Sequence, residues 1–339
     1  MVPGALVLLI LAAGTLYQFV GLRRADRTYG PPGTMLSVDR QRLHVVGAGT
    51  GTPPVLFEAG IASSSLSWAR VMPDLATFTC ACAYDRAGLG WSDPARSPRT
   101  VAGMLGELRG VIAHTKRATG APCVLVGHSF GAFLVYAYAS VHPADVAGLV
   151  LLDPPSDWHR VTRRQARMLW GGIQLSRIGG ILARIGVVRA GLALLTDGAP
   201  GVPRRFVRIF GSTAARTLEG LVGEVRKLPA EVHPIVQALW SQPKCFRAMS
   251  EHLRALQDLA AAVAGVTSLP DVPIVVVSSG DQSLETIARH RALARVSSSG
   301  RHVIAKRSGH WIQLDDPELV ITTIRDVCRT ARRPRRFPR

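Results

Sequence analysis

The chain has 339 residues, of which 47% are hydrophobic and 19% are charged, and this composition excludes a disordered protein. The length accommodates one large α/β domain with an insertion, or two domains. The formal net charge is +18, yet the sequence has no basic stripe interleaved with aromatic residues and no nucleic-acid-binding signature. We therefore expect no nucleic-acid partner. Attraction to anionic lipid headgroups, or a general arginine bias of the source proteome, explains the charge better.

The first segment is apolar: residues 2–22 carry no charged side chain, which is long enough for a helix that spans a bilayer. A cleaved signal peptide normally has a basic start, a short apolar core and a small-residue cleavage site, and this segment has none of them. We therefore favour an uncleaved anchor over residues 1–27. Because Arg23, Arg24 and Arg27 follow the apolar run, the positive-inside rule places the main domain in the cytoplasm.

Short strands and helices alternate after a Pro/Gly linker at residues 28–33. Residues 35–49 predict two strands around a polar turn, and the amphipathic spacing of Thr100–Arg117 predicts a helix. Four apolar runs have strand length: "PVLFEAG", "CACAYD", "CVLVGH" and "VAGLVLLDP". This alternation predicts a mostly parallel sheet that is covered by helices on both faces.

The alternation stops after Asp153. Residues 155–270 are helical in character, and strands resume with "VPIVVVSSG" and "GRHVIAKRSG" before a last helix at about Pro317–Arg329. The predicted plan is an α/β core (28–154 and 271–331), a helical lid inserted within it (155–270) and a basic tail (332–339). The five cysteines form no metal spacing and no disulfide framework, and we expect neither a metal nor a cofactor.

Ser129 is the candidate nucleophile. It lies in "GHSFG", a G-x-S-x-G string that follows a predicted buried strand and precedes a helix that begins with small residues. A strand-to-helix elbow needs glycine at 127 and 131, because the backbone turns sharply and the helix packs closely. The hydroxyl is then presented at a helix N-terminus, which favours a developing oxyanion.

A serine needs a base, and His310 has the appropriate place in chain order, in a loop between the last predicted strand and the last helix. A carboxylate should orient its imidazole. Asp281 and Asp153 each follow a predicted strand. We prefer Asp281, because Asp153 is followed by two prolines and also fits a plain loop start. The amides of Ile61 and Phe130 are the expected oxyanion donors.

Five segments, in this order, resemble the α/β-hydrolase fold family, in particular its lidded esterases and lipases: "FEAGIASSSLSW", "AYDRAGLGWSD", "VLVGHSFGAF", "GLVLLDP" and "SGHWIQLDDPE". The resemblance implies a serine hydrolase with Ser129 as nucleophile, His310 as base, Asp281 as acid, and oxyanion amides at Ile61 and Phe130. It assigns Asp85 and Arg86 to a structural loop beside the active site.

The expected activity is that of a carboxylesterase or lipase-like enzyme. Its substrate is a small hydrophobic acyl compound, and membrane lipid is its other partner. Serine at position 129 argues against the dehalogenase and epoxide-hydrolase branches, which use aspartate there. Two alternatives stay open at this point: a membrane-tethered binding protein of the same fold that is not catalytic, and a thioesterase or cofactor-free haloperoxidase that uses the same three residues.

Overall fold

The computed structural model describes residues 2–155, 161–196, 225–266, 269 and 271–332. The middle of the predicted lid (197–224) and the predicted basic tail, apart from Arg332, lie outside the described residues.

The described strands form one eight-stranded sheet in the order β1-β2-β4-β3-β5-β6-β7-β8. The β1–β2 and β2–β4 pairs are antiparallel, and every pair from β4 to β8 is parallel. This confirms the predicted fold class. The strands are β1 (Thr34–Val38), β2 (Gln41–Ala48), β3 (Val55–Glu58), β4 (Ala81–Tyr84), β5 (Cys123–His128), β6 (Val146–Leu152), β7 (Ile274–Ser279) and β8 (Gly300–Ala305).

Helices lie on both faces of the sheet and fill the described part of the insertion between β6 and β7. They are α1 (Val2–Thr28), α2 (Met72–Ala76), α3 (Val101–Thr119), α4 (Phe130–Val141), α5 (Arg163–Arg184), α6 (Val187–Thr196), α7 (His233–Trp240), α8 (Pro243–Ala264), α9 (Leu284–Ala294), α10 (Ile312–Asp315) and α11 (Pro317–Ala331). A 3₁₀ helix covers Ser65–Trp68.

Local sequence explains the helix that was predicted near Thr100–Arg117. The Thr100 hydroxyl accepts a hydrogen bond from the amide of Gly103 and caps the start of α3. Gly120, at φ 71°, ends the helix in the left-handed conformation that glycine adopts without strain. The buried face of α3 then packs in the core cluster on one side of the sheet, and a second cluster fills the other side.

The central strands are buried along their whole length except at Ala147 of β6, because parallel neighbours flank them and helices cover both faces. The carboxyl ends of parallel strands meet at one edge of a sheet, which is where ligands bind in open α/β folds. The residues directly after β5 and β6, Ser129 and Asp153, lie at this edge. The fold therefore brings the sequence-predicted candidates to a common place.

Helix α1 is longer than the charge-free run from which it was predicted. Within it, Gly4–Thr28 is long and apolar enough to cross a membrane, and 6% of its most apolar part is buried by the rest of the protein. Length and composition fit both an anchor and a signal sequence.

Candidate active site

Ser129 occupies the expected elbow between β5 and α4. Its backbone has φ 52° and ψ −121°, a conformation that costs a non-glycine residue about 1–3 kcal/mol and that concentrates at functional sites. Its amide donates to the carbonyl of Leu152 at 2.9 Å, which ties the elbow to the end of β6.

The two motif glycines are required by the close approach of backbone segments. A Cβ on Gly127 would lie 2.5 Å from Cα of Ala132, and one on Gly131 would lie 2.4 Å from the carbonyl oxygen of Glu58. Both distances are far below a normal carbon contact, so any side chain at either position would push the start of α4 off the sheet. This is the packing that the G-x-S-x-G spacing predicts.

His310 lies between β8 and α10, and its Nδ1 is 2.7 Å from Oδ2 of Asp153. A carboxylate only accepts hydrogen bonds, so Nδ1 carries the proton and Nε2 of the neutral ring is left as a base. The His310 side chain is 47% exposed, whereas that of Asp153 is fully buried. No hydrogen bond joins the Ser129 hydroxyl to His310 within the described residues; catalytic hydrogen bonds are often long in ligand-free structures.

His128, directly before Ser129, holds the loop of His310 in place. Its Nε2–H donates to the carbonyl oxygen of His310 at 2.8 Å, and the two rings lie 4.8 Å apart. Burial, together with the nearby His310, lowers the pKa of His128 to about 3, so its ring is neutral near pH 7. His128 therefore supports the loop that carries His310 and stays uncharged there.

The structure pairs His310 with Asp153, which corrects the preferred assignment of Asp281. Asp281 lies two residues beyond β7, is exposed, and accepts a hydrogen bond from the Ser279 hydroxyl at 2.6 Å. Asp153 instead follows β6 directly, at φ 42°, where its side chain turns under the loop of His310. Asp153 and the two prolines do begin a loop, but this does not keep the carboxylate from His310.

The carboxylate of Asp153 is surrounded by donors. Ser279 donates through its amide at 3.0 Å, and Gln282 Nε2 donates at 2.8 Å. Burial raises the pKa of Asp153, but the hydrogen bonds from His310, Ser279 and Gln282 outweigh burial and hold the pKa below its usual value. The group is therefore an anion near neutral pH, fixed in orientation and able to stabilise a positive charge on the imidazole.

The turn after β3 lies directly beside Ser129. A Cβ on Gly60 would be 3.6 Å from Cβ of Ser129 and 3.0 Å from Nδ1 of His128. Phe130 is the first residue of α4, so its N–H has no acceptor within the helix. The N–H of Ile61 likewise has no acceptor in the part of the chain that the structure describes. Both predicted oxyanion donors are thus available at the elbow.

A buried arginine fixes this turn. The guanidinium of Arg86 donates to the carbonyls of Ala59 (2.6 Å) and Gly60 (2.5 Å) and pairs with Glu58, which also accepts a hydrogen bond from the hydroxyl of Tyr84. From the sequence, Arg86 was assigned only to a structural loop beside the site, and Glu58 was not identified as its partner. An acidic residue at the end of the apolar strand "VLFE" was the available signal, because a buried carboxylate requires a partner.

Asp85 has the structural role that was expected. Its Oδ1 accepts from the amide of Ser65 at 2.7 Å, and its Oδ2 accepts from Nδ1 of His44 (2.8 Å) and from the amide of Trp91 (3.0 Å). These bonds join three separate segments and carry no reacting atom.

A small cavity of about 30 Å³ lies against Trp311, whose ring also packs on His128. Its lining includes Ser63 and Leu66 after the Gly60 turn, Val236 and Trp240 of α7, and Trp311 next to His310. The wall is largely apolar, and one side of it belongs to the insertion.

Residues 53–176 match a family model that is described as the alpha/beta hydrolase fold. Among curated proteins, YqjL of Bacillus subtilis is 34% identical over 106 residues, which are 31% of this chain and 41% of that protein. The matches thus span less than half the length of the first curated relatives. A bovine (lyso)-N-acylphosphatidylethanolamine lipase is 24% identical over 285 residues, which are 81% of this chain and 79% of the lipase.

Solved structures show the same fold at low sequence identity. The enol-lactonase of Burkholderia xenovorans LB400 has a TM-score of 0.60 at 16% identity and covers 87% of this chain and 99% of its own. The epoxide hydrolase CorEH has a TM-score of 0.59 at 19% identity and covers 87% and 97%.

Proposed function

Because the chain belongs to the α/β-hydrolase fold family, we propose that it is a serine hydrolase that cleaves esters or related acyl compounds through an acyl-enzyme on Ser129. The observation that carries the proposal is the His310–Asp153 pair, held by His128 beside a serine in a strained elbow. This combination of nucleophile, base and buried acid is what acyl transfer requires.

The reaction begins when Nε2 of His310 takes the proton of the Ser129 hydroxyl as Oγ attacks the acyl carbon. The carbonyl π electrons move to its oxygen, and the amides of Ile61 and Phe130 stabilise the resulting anion. The tetrahedral intermediate collapses, the bond to the leaving oxygen breaks, and the imidazolium protonates that oxygen. Water then attacks the acyl-enzyme with His310 again as base, and the free acid leaves.

Asp153 contributes by its charge and its position. The anion stabilises the imidazolium that forms in both steps, and its hydrogen bond to Nδ1 keeps Nε2 free of a proton in the resting enzyme. The low pKa of Asp153, which results from its donors, keeps it ionised while His310 gains and loses protons.

The substrate is a hydrophobic acyl compound, because the wall of the cavity beside His310 is apolar. A volume of about 30 Å³ holds only roughly two water molecules. A longer acyl chain therefore requires α7 to move, which gives the insertion the role of a lid. A lipase is among the relatives that match most of the chain, and this supports the same substrate class.

Helix α1 anchors the protein in a membrane, with its main domain on the side of Arg23, Arg24 and Arg27. Intact mass of the protein isolated from membranes tests this assignment. An anchor leaves residues 1–27 in place, whereas their loss would identify a signal sequence.

Labelling with a fluorophosphonate probe tests the enzymatic function. Ser129→Ala should abolish labelling, and Ser140→Ala, on the same helix, should leave it unchanged. No labelling of a well-folded wild-type protein would refute the enzyme and favour a binding protein of the same fold. A series of p-nitrophenyl esters, measured with and without detergent, tests the substrate class; a preference for acetate over longer chains would refute a hydrophobic acyl substrate.

A further inference from the structure

Helix α5 of the insertion exposes large apolar side chains that a water-soluble helix would bury. Its inner face carries Leu169, Ser176, Gly180 and Ala183, which are buried. On the outer face of α5, large apolar residues that are 50–66% exposed recur over four turns: Met168, Trp170, Leu175, Ile178 and Ile181. Val187, at the start of α6, is 45% exposed.

Arginines border this apolar face. Arg177 and Arg184 are seven residues apart, so they lie on one side of α5 and line an edge of the apolar row. Three more exposed arginines, Arg163, Arg164 and Arg167, occupy its first turn and a half, where positive charge opposes the helix dipole. Helix stability therefore does not explain them. An apolar face with Trp and Leu beside arginines is typical of helices that lie in the membrane interface.

The same end of the insertion packs against α1. A Cβ on Gly14 would lie 2.4 Å from the carbonyl oxygen of Ile185, the residue that follows α5. Further along α1, the side chain of Gln18 donates to the carbonyl of Ser241 at 2.9 Å and accepts from Nε of Arg189 at 2.9 Å. Residues 4–13 of α1, by contrast, are exposed.

The position of this contact along α1 places the insertion in the lipid. A helix rises about 1.5 Å per residue, so Gly14 lies about 18 Å from Val2 and about 12 Å from Leu22. A hydrocarbon core of about 30 Å requires about 20 helical residues, so a span over the charge-free residues 2–22 includes Gly14 well inside it. If α1 crosses the membrane, Gly14 and its partner Ile185 both lie inside the bilayer.

We propose that the outer face of α5 and the start of α6, which we call the docking face, is embedded in the leaflet on the Arg23 side of α1. Its occupant is the lipid bilayer, with the bordering arginines at the level of anionic headgroups. The inference rests on the proposed anchor and not on the chemistry of Ser129.

The test uses the full-length protein in vesicles of phosphatidylcholine and phosphatidylglycerol. A fluorescent label is placed at Ile178→Cys, and a matched label at Leu284→Cys, an apolar residue of 86% exposure at the start of α9. Both variants carry Cys80→Ser, because Cys80 is partly exposed and the other four cysteines are buried. Lipids with a nitroxide on the acyl chain quench only labels that are in contact with the hydrocarbon.

We expect several-fold stronger quenching at position 178 than at position 284, independent of the protein-to-lipid ratio. Equal quenching at both positions, in protein that sodium carbonate does not extract, would overturn the docking face while leaving the anchor intact. Shielding of position 178 that appears only at a high protein-to-lipid ratio would assign the face to a second copy and also overturn the proposal. Fluorophosphonate labelling of the same vesicles reports separately on Ser129.

Discussion

Replacing Asp153 by asparagine removes the charge that faces His310 and keeps the shape of the side chain. In the wild type, Oδ2 accepts from His310 and Gln282, and Oδ1 accepts from the Ser279 amide. An asparagine can place its oxygen at only one of these positions, so its NH₂ group must face a donor. Either orientation weakens the hold on the imidazole and removes the stabilisation of the imidazolium.

The size of the effect follows from the distance. Two unit charges at the 2.7 Å that separates Nδ1 of His310 from Oδ2 of Asp153 attract by about 6 kcal/mol at an effective dielectric constant of about 20. The His310 side chain is 47% exposed, so solvent screening lowers the attraction to about 3 kcal/mol. At about 1.4 kcal/mol per factor of ten, kcat should fall by roughly 10²-fold.

The assay is steady-state hydrolysis of a soluble p-nitrophenyl ester, with thermal unfolding as the control for folding. Asp281→Asn is the matched variant, because Asp281 follows the neighbouring strand β7 at the same edge of the sheet, and its one partner in the described residues is the Ser279 hydroxyl. Its kcat should stay within about threefold of the wild type, as expected for an exposed polar contact. A larger loss in Asp281→Asn than in Asp153→Asn would refute the pairing derived from the geometry.

Three further predictions concern the support of the site. Arg86→Lys keeps the charge but loses the fork of donors, so kcat should fall about 10- to 100-fold with KM little changed; an unchanged kcat would contradict its hold on the oxyanion turn. Gly131→Ala should unfold or strongly destabilise the protein, whereas Gly171→Ala in α5, where a Cβ meets open space, should raise stability by up to about 1 kcal/mol in thermal melts. His128 has a pKa of about 3 in the fold, whereas an unfolded histidine has a pKa of about 6.5, so the free energy of unfolding falls as the pH drops from about 6.5 toward 3. In unfolding measured as a function of pH, His128→Asn should make this fall less steep. An unaltered pH profile would show that His128 is not its source.

Local features of the site could be predicted from the sequence, and long-range ones could not. The elbow around Ser129 is encoded within five residues. Gly127 and Gly131 leave room for the close approach of their own strand and helix and of the adjacent β3. The place of His310 followed from chain order. The choice between Asp153 and Asp281 depends on how the end of β6 lies against β7, where Ser279 donates to a residue 126 positions away.

The ion pair of Glu58 and Arg86 shows the same limit. Its members are 28 residues apart on neighbouring strand ends, and each alone gives a weak signal. Only their common burial under the Gly60 turn shows that the arginine holds two carbonyls of that turn. The sequence therefore indicated the positions of Ser129 and His310, whereas the buried arginine that holds the Gly60 turn could be recognised only from the structure.

The buried pair between Glu58 and Arg86 also restricts how this protein can evolve. Loss of either partner alone leaves an uncompensated charge in the core, which costs about 3–5 kcal/mol, whereas an apolar replacement of both can be neutral. Single substitutions at these positions are therefore selected against, and the two should change together in descendants of this chain. A lineage that substitutes the pair must acquire, in the same transition, another way to hold the carbonyls of Ala59 and Gly60.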